Sequence, residues 1–282
     1  MTDNKSILIT GCSSGIGLCV ARGLKERGYA VYTSARKAED VSMLQQQGFK
    51  AFRLDLTQSE TIDSTLEQVL EDTGGTLYAL FNNGAYGQVG AVEDLSVEVL
   101  REQFETNFFG WHDLTRRVIP VMRAQGTGRI IQNSSILGFM TLPYRGAYVA
   151  SKYALEGLTD TMRLELAESG IKVSLIEPGP IESRFRDNAL AMWQKNIDPE
   201  SSVHRIYYQS TLERLRKQGA ATPFTLPAEA VLKKVIHALE SRRPKIRYPV
   251  TFPTYLFGML RRLLTSQGMD RVLLKVSASG KR

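Results

Sequence analysis

Cysteine is nearly missing from this chain. Two residues in 282, Cys12 and Cys19, form no CxxC pair. That excludes a disulfide framework and a thiolate zinc site. Histidine is also scarce: His112, His204 and His237 show no metal-ligand spacing, so no metal site is expected. No run of 18 apolar residues occurs, so no membrane span is expected. The opening Met-Thr-Asp-Asn-Lys runs into an apolar segment by Ile7, which leaves no room for a signal peptide. The expected setting is the reducing cytoplasm, and the Asn133-Ser134-Ser135 sequon reads as chance. Internal repeats and low-complexity linkers are absent as well.

What is present is a core. Hydrophobic residues make up 43% of the chain, enough to argue against disorder. Charge is uneven. Residues 201–282 hold 16 Lys/Arg against 4 Asp/Glu, whereas residues 1–200 hold 20 against 25. A basic tail suggests nucleic acid or anionic lipid, but it carries no nucleic-acid-binding motif. A solvated helical face is the simpler reading, and no nucleic-acid partner is expected.

Along the first 180 residues, short apolar runs alternate with amphipathic stretches. Strands are expected at Ser6–Thr10, Ala30–Ala35, Lys50–Leu54, Leu77–Asn82, Arg129–Asn133 and Lys172–Glu177, with a seventh at Lys245–Tyr248. Helices are expected between them at Gly15–Arg27, Lys37–Gln47, Ser59–Glu71, over 97–124 as one or two helices, and at Tyr148–Ser169, and beyond them near Ala228–Glu240. This order predicts an α/β chain: a Rossmann-type, doubly wound parallel sheet of about seven strands with helices on both faces. Residues 1–250 read as one large α/β domain, and 251–282 as an apolar and basic C-terminal extension. Residues 181–226 lack clean periodicity and read as a lid or binding element.

Thr10-Gly11-Cys12-Ser13-Ser14-Gly15-Ile16-Gly17 joins the first strand to the first helix. Glycines let the backbone turn sharply and approach a pyrophosphate, and the helix N-terminus offers free N–H groups. At the end of strand two, an NAD site usually has a carboxylate for the ribose 2′-hydroxyl. This chain has Ala35-Arg36-Lys37. Arg36 can grip a 2′-phosphate with two hydrogen bonds, and Ser13 or Ser14 can add another. The expected cofactor is therefore NADP(H).

Tyr148 and Lys152 lie four apart, on one face of a helix. An ammonium beside a phenol favours phenolate, so the tyrosine pKa is expected to fall from about 10 toward neutrality. Such a tyrosine passes protons to or from a substrate oxygen near pH 7. Ser135 ends strand five, on the edge where α/β sheets hold ligands.

With these residues assembled, the chain resembles the short-chain dehydrogenases/reductases over about residues 5–250. The matching features are the Thr10–Gly17 turn, Asp55, Asn82-Asn83, Asn107, Ser135, Tyr148-x-x-x-Lys152 and Pro178-Gly179, in order. The resemblance implies catalytic roles for Asn107, Ser135, Tyr148 and Lys152. Tyr148 would be the acid/base, and Lys152 would lower its pKa and bind the nicotinamide ribose. Ser135 would hold the carbonyl oxygen, and Asn107 would anchor a water relay behind the lysine. It also implies cofactor contacts by Gly11, Ser13, Ser14, Gly15, Ile16, Gly17, Arg36, Asp55, Leu56, Asn82, Pro178, Gly179, Ile181 and Ser183. Two departures stand out. The family's usual Asn-Asn-Ala-Gly is here Asn82-Asn83-Gly84-Ala85, and Ser183 stands where a threonine is common.

The implied reaction is hydride transfer between NADPH and a carbonyl or alcohol. Tyr86–Val92, Phe139–Arg145 and 181–226 should form the pocket, with Phe139, Tyr144, Phe185 and Trp193 as substrate contacts. So apolar a set favours an apolar carbonyl or alcohol. Aldehyde reduction is the first expectation, after the resemblance to bacterial NADP-dependent aldehyde reductases. Steroid or retinol dehydrogenase and 3-oxoacyl carrier-protein reductase are the enzyme alternatives, and an NADP(H)-sensing binding protein is the non-enzyme one. Tyr248–Leu264 is apolar and ends near Arg261-Arg262. Packing, as a pocket cap or an oligomer interface, ranks first for it, and peripheral membrane contact second. A homo-oligomer, dimer or tetramer, is expected.

Overall fold

A computed structural model describes residues 5–217, 219 and 222–279. The strands are β1 (Ser6–Ile9), β2 (Ala30–Ala35), β3 (Lys50–Arg53), β4 (Ala79–Asn82), β5 (Gly128–Asn133), β6 (Ile171–Glu177) and β7 (Arg247–Pro249). They form one sheet in the order β3-β2-β1-β4-β5-β6-β7, every pair parallel. The helices are α1 (Gly15–Glu26), α2 (Ala38–Gln46), α3 (Ser59–Asp72), α4 (Val97–Phe104), α5 (Gly110–Ala124), α6 (Gly146–Glu165), α7 (Phe185–Asn196), α8 (Arg205–Arg216), α9 (Glu229–Glu240), α10 (Phe252–Leu263) and α11 (Ser266–Ser279).

Strands buried on both faces read as continuous apolar runs, and the two-residue repeat sorts their side chains. Ile7, Ile9, Phe81, Ile131 and Ile176 face Val20 and Leu24 of α1 and Val231 and Val235 of α9. Leu8, Leu80, Ile130 and Val173 face the other way, onto Ile62 and Leu66 of α3 and Trp111, Leu114 and Val118 of α5. Gly23 lets α1 approach α9, because a Cβ there would lie 2.3 Å from Leu232 Cδ2. The strand order reverses between β1 and β4, so the crevice beyond their carboxyl ends is the natural ligand site.

The one or two helices expected over 97–124 are two, α4 and α5, joined by a π-helical turn at Glu105–Phe109. Two expectations change. The seventh strand is Arg247–Pro249, shifted toward the C-terminus and stopped by Pro249. Residues 181–226 are not irregular, because they fold into α7 and α8. Their periodicity is hidden because their apolar residues serve two surfaces. Ala189, Trp193, Tyr208 and Leu215 pack a small cluster around Val89. Phe185, Tyr207 and Thr211 face a cavity.

The extension packs rather than trailing away. Phe257 of α10 and Leu273 of α11 join Leu137, Met140 and Tyr148. Gly179 makes this junction possible, since a Cβ there would meet Thr251 Oγ1 at 2.1 Å. The last residues of the 251–282 extension, 280–282, lie outside the described residues, as do 218, 220 and 221 of the 181–226 segment. Among the described residues, no helix is long and apolar enough to cross a membrane.

Candidate active site

A cavity of about 1600 Å³ opens over the carboxyl edge of the sheet. Its floor begins with the turn after β1. Thr10 Oγ1 accepts hydrogen bonds from the backbone N–H groups of Asn83 (2.8 Å) and Gly84 (2.9 Å). Asn83 Nδ2 donates back to the carbonyls of Thr10 (3.0 Å) and Gly11 (3.2 Å). Asn133 Nδ2 holds Asn83 Oδ1 at 2.9 Å. Gly11 has φ +69°, and a Cβ on it would sit 2.5 Å from Gly84 Cα. The Gly84-Ala85 order thus gives Gly11 a glycine to lie against. A Cβ on Gly17 would lie 2.3 Å from Gly11 O. The result is a bare backbone cradle at the N-terminus of α1, where free N–H groups and the helix dipole favour phosphate.

Arg36 is exposed at the end of β2, which is tied to the cradle through the Cys12 N–H to Ser34 O bond (2.8 Å). Arg36 has no ion pair among the described residues, whereas the nearby Glu39 pairs with Lys37 at 3.5 Å. Asp55 Oδ1 accepts from the backbone N–H (3.0 Å) and hydroxyl (2.8 Å) of Thr57, which holds the turn after β3.

The chemical groups rise from α6. Tyr148, Lys152, Glu156 and Asp160 repeat at four-residue spacing and form one row. Tyr148 and Lys152 are buried and line the cavity beside Ser135. Ser135 caps the turn after β5, its Oγ accepting from the Leu137 N–H at 3.1 Å. Lys152 Nζ donates to the Asn133 carbonyl at 2.9 Å and rests 4.1 Å above the Trp111 ring centroid. Trp111 is locked in turn by donating Nε1–H to the Gly84 carbonyl at 2.7 Å.

This arrangement corrects one expectation. Burial pushes the Tyr148 phenol up to about 12, opposed by a hydrogen bond from Ser135 that lowers it. Burial also pulls the Lys152 ammonium down to about 7, opposed by Glu156. Nζ lies 5.8 Å from the Tyr148 ring centroid and is turned toward Asn133 and Trp111. Desolvation therefore outweighs attraction between phenolate and ammonium. Tyr148 stands protonated in this site.

Below the lysine the row meets Arg247. The guanidinium reaches Glu156 (3.0 Å), Asp160 (2.7 Å) and Glu177 (3.1 Å). Burial and then repulsion from Glu156 push Glu177 up to about 7.

Among the sequence-derived cofactor residues, Gly11, Ser13, Ser14, Gly15, Ile16, Pro178, Gly179, Ile181 and Ser183 line the cavity together with Ser135, Tyr148 and Lys152. Gly17 and Leu56 pack behind the cradle. Asn82 does not face the cavity: it is buried, donating to Thr115 Oγ1 at 2.8 Å, and Asn83 takes the exposed position. Asn107, in the π turn, spends its amide on Tyr86, bonding its carbonyl (2.8 Å) and N–H (3.2 Å). Gln103 bonds the same loop at Tyr86 O (3.0 Å) and Gln88 N–H (2.7 Å). Tyr144 and Phe185 line the cavity. Trp193 packs on Tyr208 with centroids 5.7 Å apart, and Phe139 lies against Gly258 of α10, so neither reaches it.

Reading the sequence alone missed Asn83, Gln103, Trp111, Asn133 and Glu156. The glutamate had a signal, the next step in the Tyr148–Lys152 spacing. The others act through contacts between distant segments.

The chain matches the short chain dehydrogenase family over residues 5–193. It belongs to that family. Relatives of this short-chain dehydrogenase include the "Uncharacterized oxidoreductase YbbO" of Escherichia coli (strain K12), 45% identical over 95% of this chain and 94% of the relative. The "NADPH-dependent 3-dehydrocapnine reductase" of Ornithobacterium rhinotracheale is 30% identical over 95% of each. A crystal structure of a short-chain dehydrogenase from Streptomyces avermitilis superposes with a TM-score of 0.75 at 27% identity, over 93% of this chain and 94% of that one. The short-chain dehydrogenase is thus an oxidoreductase that uses a nicotinamide dinucleotide, and the bare cradle at the N-terminus of α1 fits that group's phosphates.

Proposed function

We propose that this chain is an NADP(H)-dependent reductase of apolar carbonyl compounds, with medium- and long-chain aldehydes as its substrates. One observation carries the reading. A protonated phenol, Tyr148, faces an apolar cavity beside Ser135 and within reach of the phosphate cradle. Arg36 supports the coenzyme choice as an exposed guanidinium without an acidic partner among the described residues, at the strand end where a 2′-phosphate would lie. The name of the O. rhinotracheale relative also points to NADPH. Leu142, Phe185, Leu215, Leu256 and Leu260 supply the apolar wall.

When bound, the dinucleotide supplies the hydride. The chain's own residues place the carbonyl and its proton. Ser135 Oγ–H donates to the substrate oxygen as negative charge gathers there. Tyr148 O–H gives its proton to the same oxygen. Lys152, with its pKa near 7, exchanges protons at neutral pH one helical turn below. Phe185 sets its edge on the Tyr148 ring, with centroids 5.4 Å apart, and excludes water from that side. Gly87 makes room for it, since a Cβ there would lie 2.7 Å from Phe185 Cζ.

The test is NADPH oxidation with straight-chain aldehydes of graded length, with NADH in parallel. NADPH should be preferred, and each methylene should raise kcat/KM about two- to fourfold until the cavity fills. Preference for NADH, or kcat/KM independent of chain length, would overturn the proposal.

A further inference from the structure

Helix α10 carries two apolar stripes. The inner one, Pro253, Leu256, Phe257 and Leu260, lines the cavity. The outer one, Tyr255, Met259 and Leu263, repeats at four-residue spacing and faces out, 51%, 53% and 72% exposed. A globular protein buries one stripe of a helix and surrounds it with polar residues. A second, outward stripe therefore calls for an apolar environment outside the fold.

Two more features converge on the same rim. Phe224 is 58% exposed at the cavity edge and holds φ at +60°, a left-handed conformation that disfavours a bulky side chain. Its ring packs at a tilt against exposed Phe252 at the start of α10, with centroids 5.1 Å apart. The cavity mouth is thus edged by two aromatic rings in water. Arg262, Arg271 and Lys275 are exposed on the same two helices and make no ion pair among the described residues. Asp270 is the single acid in 251–279.

We propose that the α10–α11 face is an interfacial membrane-binding surface. Its occupant is the headgroup region of an anionic bilayer, and it admits long-chain carbonyl substrates from the lipid directly into the cavity. Charge decides between this and a second copy of the chain. A face that carries, among the described residues, Arg262, Arg271 and Lys275 without ion pairs against the one acid Asp270 would repel its own copy, but attracts anionic headgroups. Tyr255 has the amphipathic ring that headgroup depth favours. The inner stripe continues the apolar path from that surface to Phe257, which packs beside Tyr148. An amphiphile can thus slide inward without exposing its chain to water.

The delivery half of this proposal rests on the reductase reading, but vesicle binding does not, so the first measurement needs no turnover. The full chain is floated with phosphatidylcholine vesicles, with and without phosphatidylglycerol. It should float with the anionic vesicles, and binding should fall as salt rises. Met259→Asp with Leu263→Asp should abolish flotation. Replacing Arg262, Arg271 and Lys275 with glutamine should weaken it by roughly tenfold or more. Circular dichroism and turnover of a short, water-soluble aldehyde should be unchanged in both variants, because neither touches the catalytic residues. Reduction of a vesicle-embedded long-chain aldehyde should fall in parallel with binding. Absence of flotation on anionic vesicles overturns the proposal. So does a concentration-dependent dimer that Met259→Asp dissolves, since the stripe would then be an interface between copies. Flotation without any coupling to long-chain turnover keeps the surface and rejects the delivery route.

Discussion

The two walls of the cavity are built on different terms. The sheet-edge wall is polar and cross-linked: Thr10, Asn83, Asn133, Lys152, Trp111 and Gly84 hold one another through hydrogen bonds and a cation–ring contact. The facing wall is apolar where α10 and α11 line it, with Leu256, Leu260 and Val272, while α7 and α8 add Phe185 and Leu215 beside the polar Arg186, Thr211 and Arg214. Hydrogen bonds are directional, so the first wall can hold reacting groups to a fraction of an ångström. Apolar contact is not directional, so the apolar part of the second wall selects by size and polarity. Chemistry and coenzyme choice should therefore depend on single atoms of one wall, and substrate range on the bulk of the other.

Tyr148→Phe is the hardest test of that division. It removes one oxygen and keeps the ring that packs on Phe185. Loss of a positioned proton donor should lower kcat by about 10²–10⁴-fold. NADPH affinity, measured by fluorescence titration, should change little. Turnover within a few-fold of the parent would remove Tyr148 from the mechanism.

Arg36→Ala comes next. The loss of a charge-assisted, two-point contact should raise KM for NADPH by roughly 10–100-fold. KM for NADH should stay where it is, because NADH carries no 2′-phosphate. Equal shifts for both coenzymes would mean that Arg36 supports the fold rather than reads the phosphate.

On the facing wall, Phe185→Ala should have a milder and different signature. The cavity enlarges and loses an aromatic edge, so kcat/KM for medium-chain aldehydes should fall about tenfold. Bulkier carbonyl compounds should gain relative to them. A uniform drop in kcat across all substrates would instead place Phe185 with the catalytic groups and blur the division between the walls.

The same division explains what could be read from the sequence. Glycines at Gly11, Gly15 and Gly17 and the Tyr148–Lys152 pair are local patterns, because a backbone cradle and one helix face are set by near neighbours. The parallel sheet with helices on both faces followed from alternation of elements, whereas its strand order came only from the structure. Asn83 over Asn82 was not readable: which of two adjacent amides faces the cavity depends on the pleat of β4 against β5. Trp111 reads as ordinary core until α5 is placed beneath α6. The pKa expectation failed for a related reason. Spacing puts an ammonium near a phenol, but only the packed structure reveals how much water both have lost. Helices α7 and α8 were hidden because one residue set packs a cluster and lines a cavity, so neither pattern is clean.

The smallest effect on turnover belongs to Glu177→Gln, which probes the support beneath the polar wall. Glu177 sits at the end of β6, and Arg247 of β7 is shared among three carboxylates. In the folded chain Glu177 holds its proton up to about 7, against an ordinary value of 4.5. Between those values the folded state binds more protons than the unfolded state, so this group makes stability fall as pH rises from about 4.5 to 7. Below that window its contribution is intact, and above 7 its penalty is complete, at most about 3 kcal/mol. Glutamine carries no titrating proton and should flatten this part of the profile. Half-exposed Asp160, whose carboxyl Arg247 helps to hold below its ordinary value, acts under more acidic conditions, and Lys152 acts above 7 with the opposite sign. Burial raises Glu156 as well, and it contributes with the same sign in both proteins, so the difference between the parent and Glu177→Gln melts at several pH values inside the window isolates the Glu177 contribution. If the parent and Glu177→Gln melt with the same pH slope, Glu177 ionises normally, and Arg247 balances all three carboxylates in their charged form.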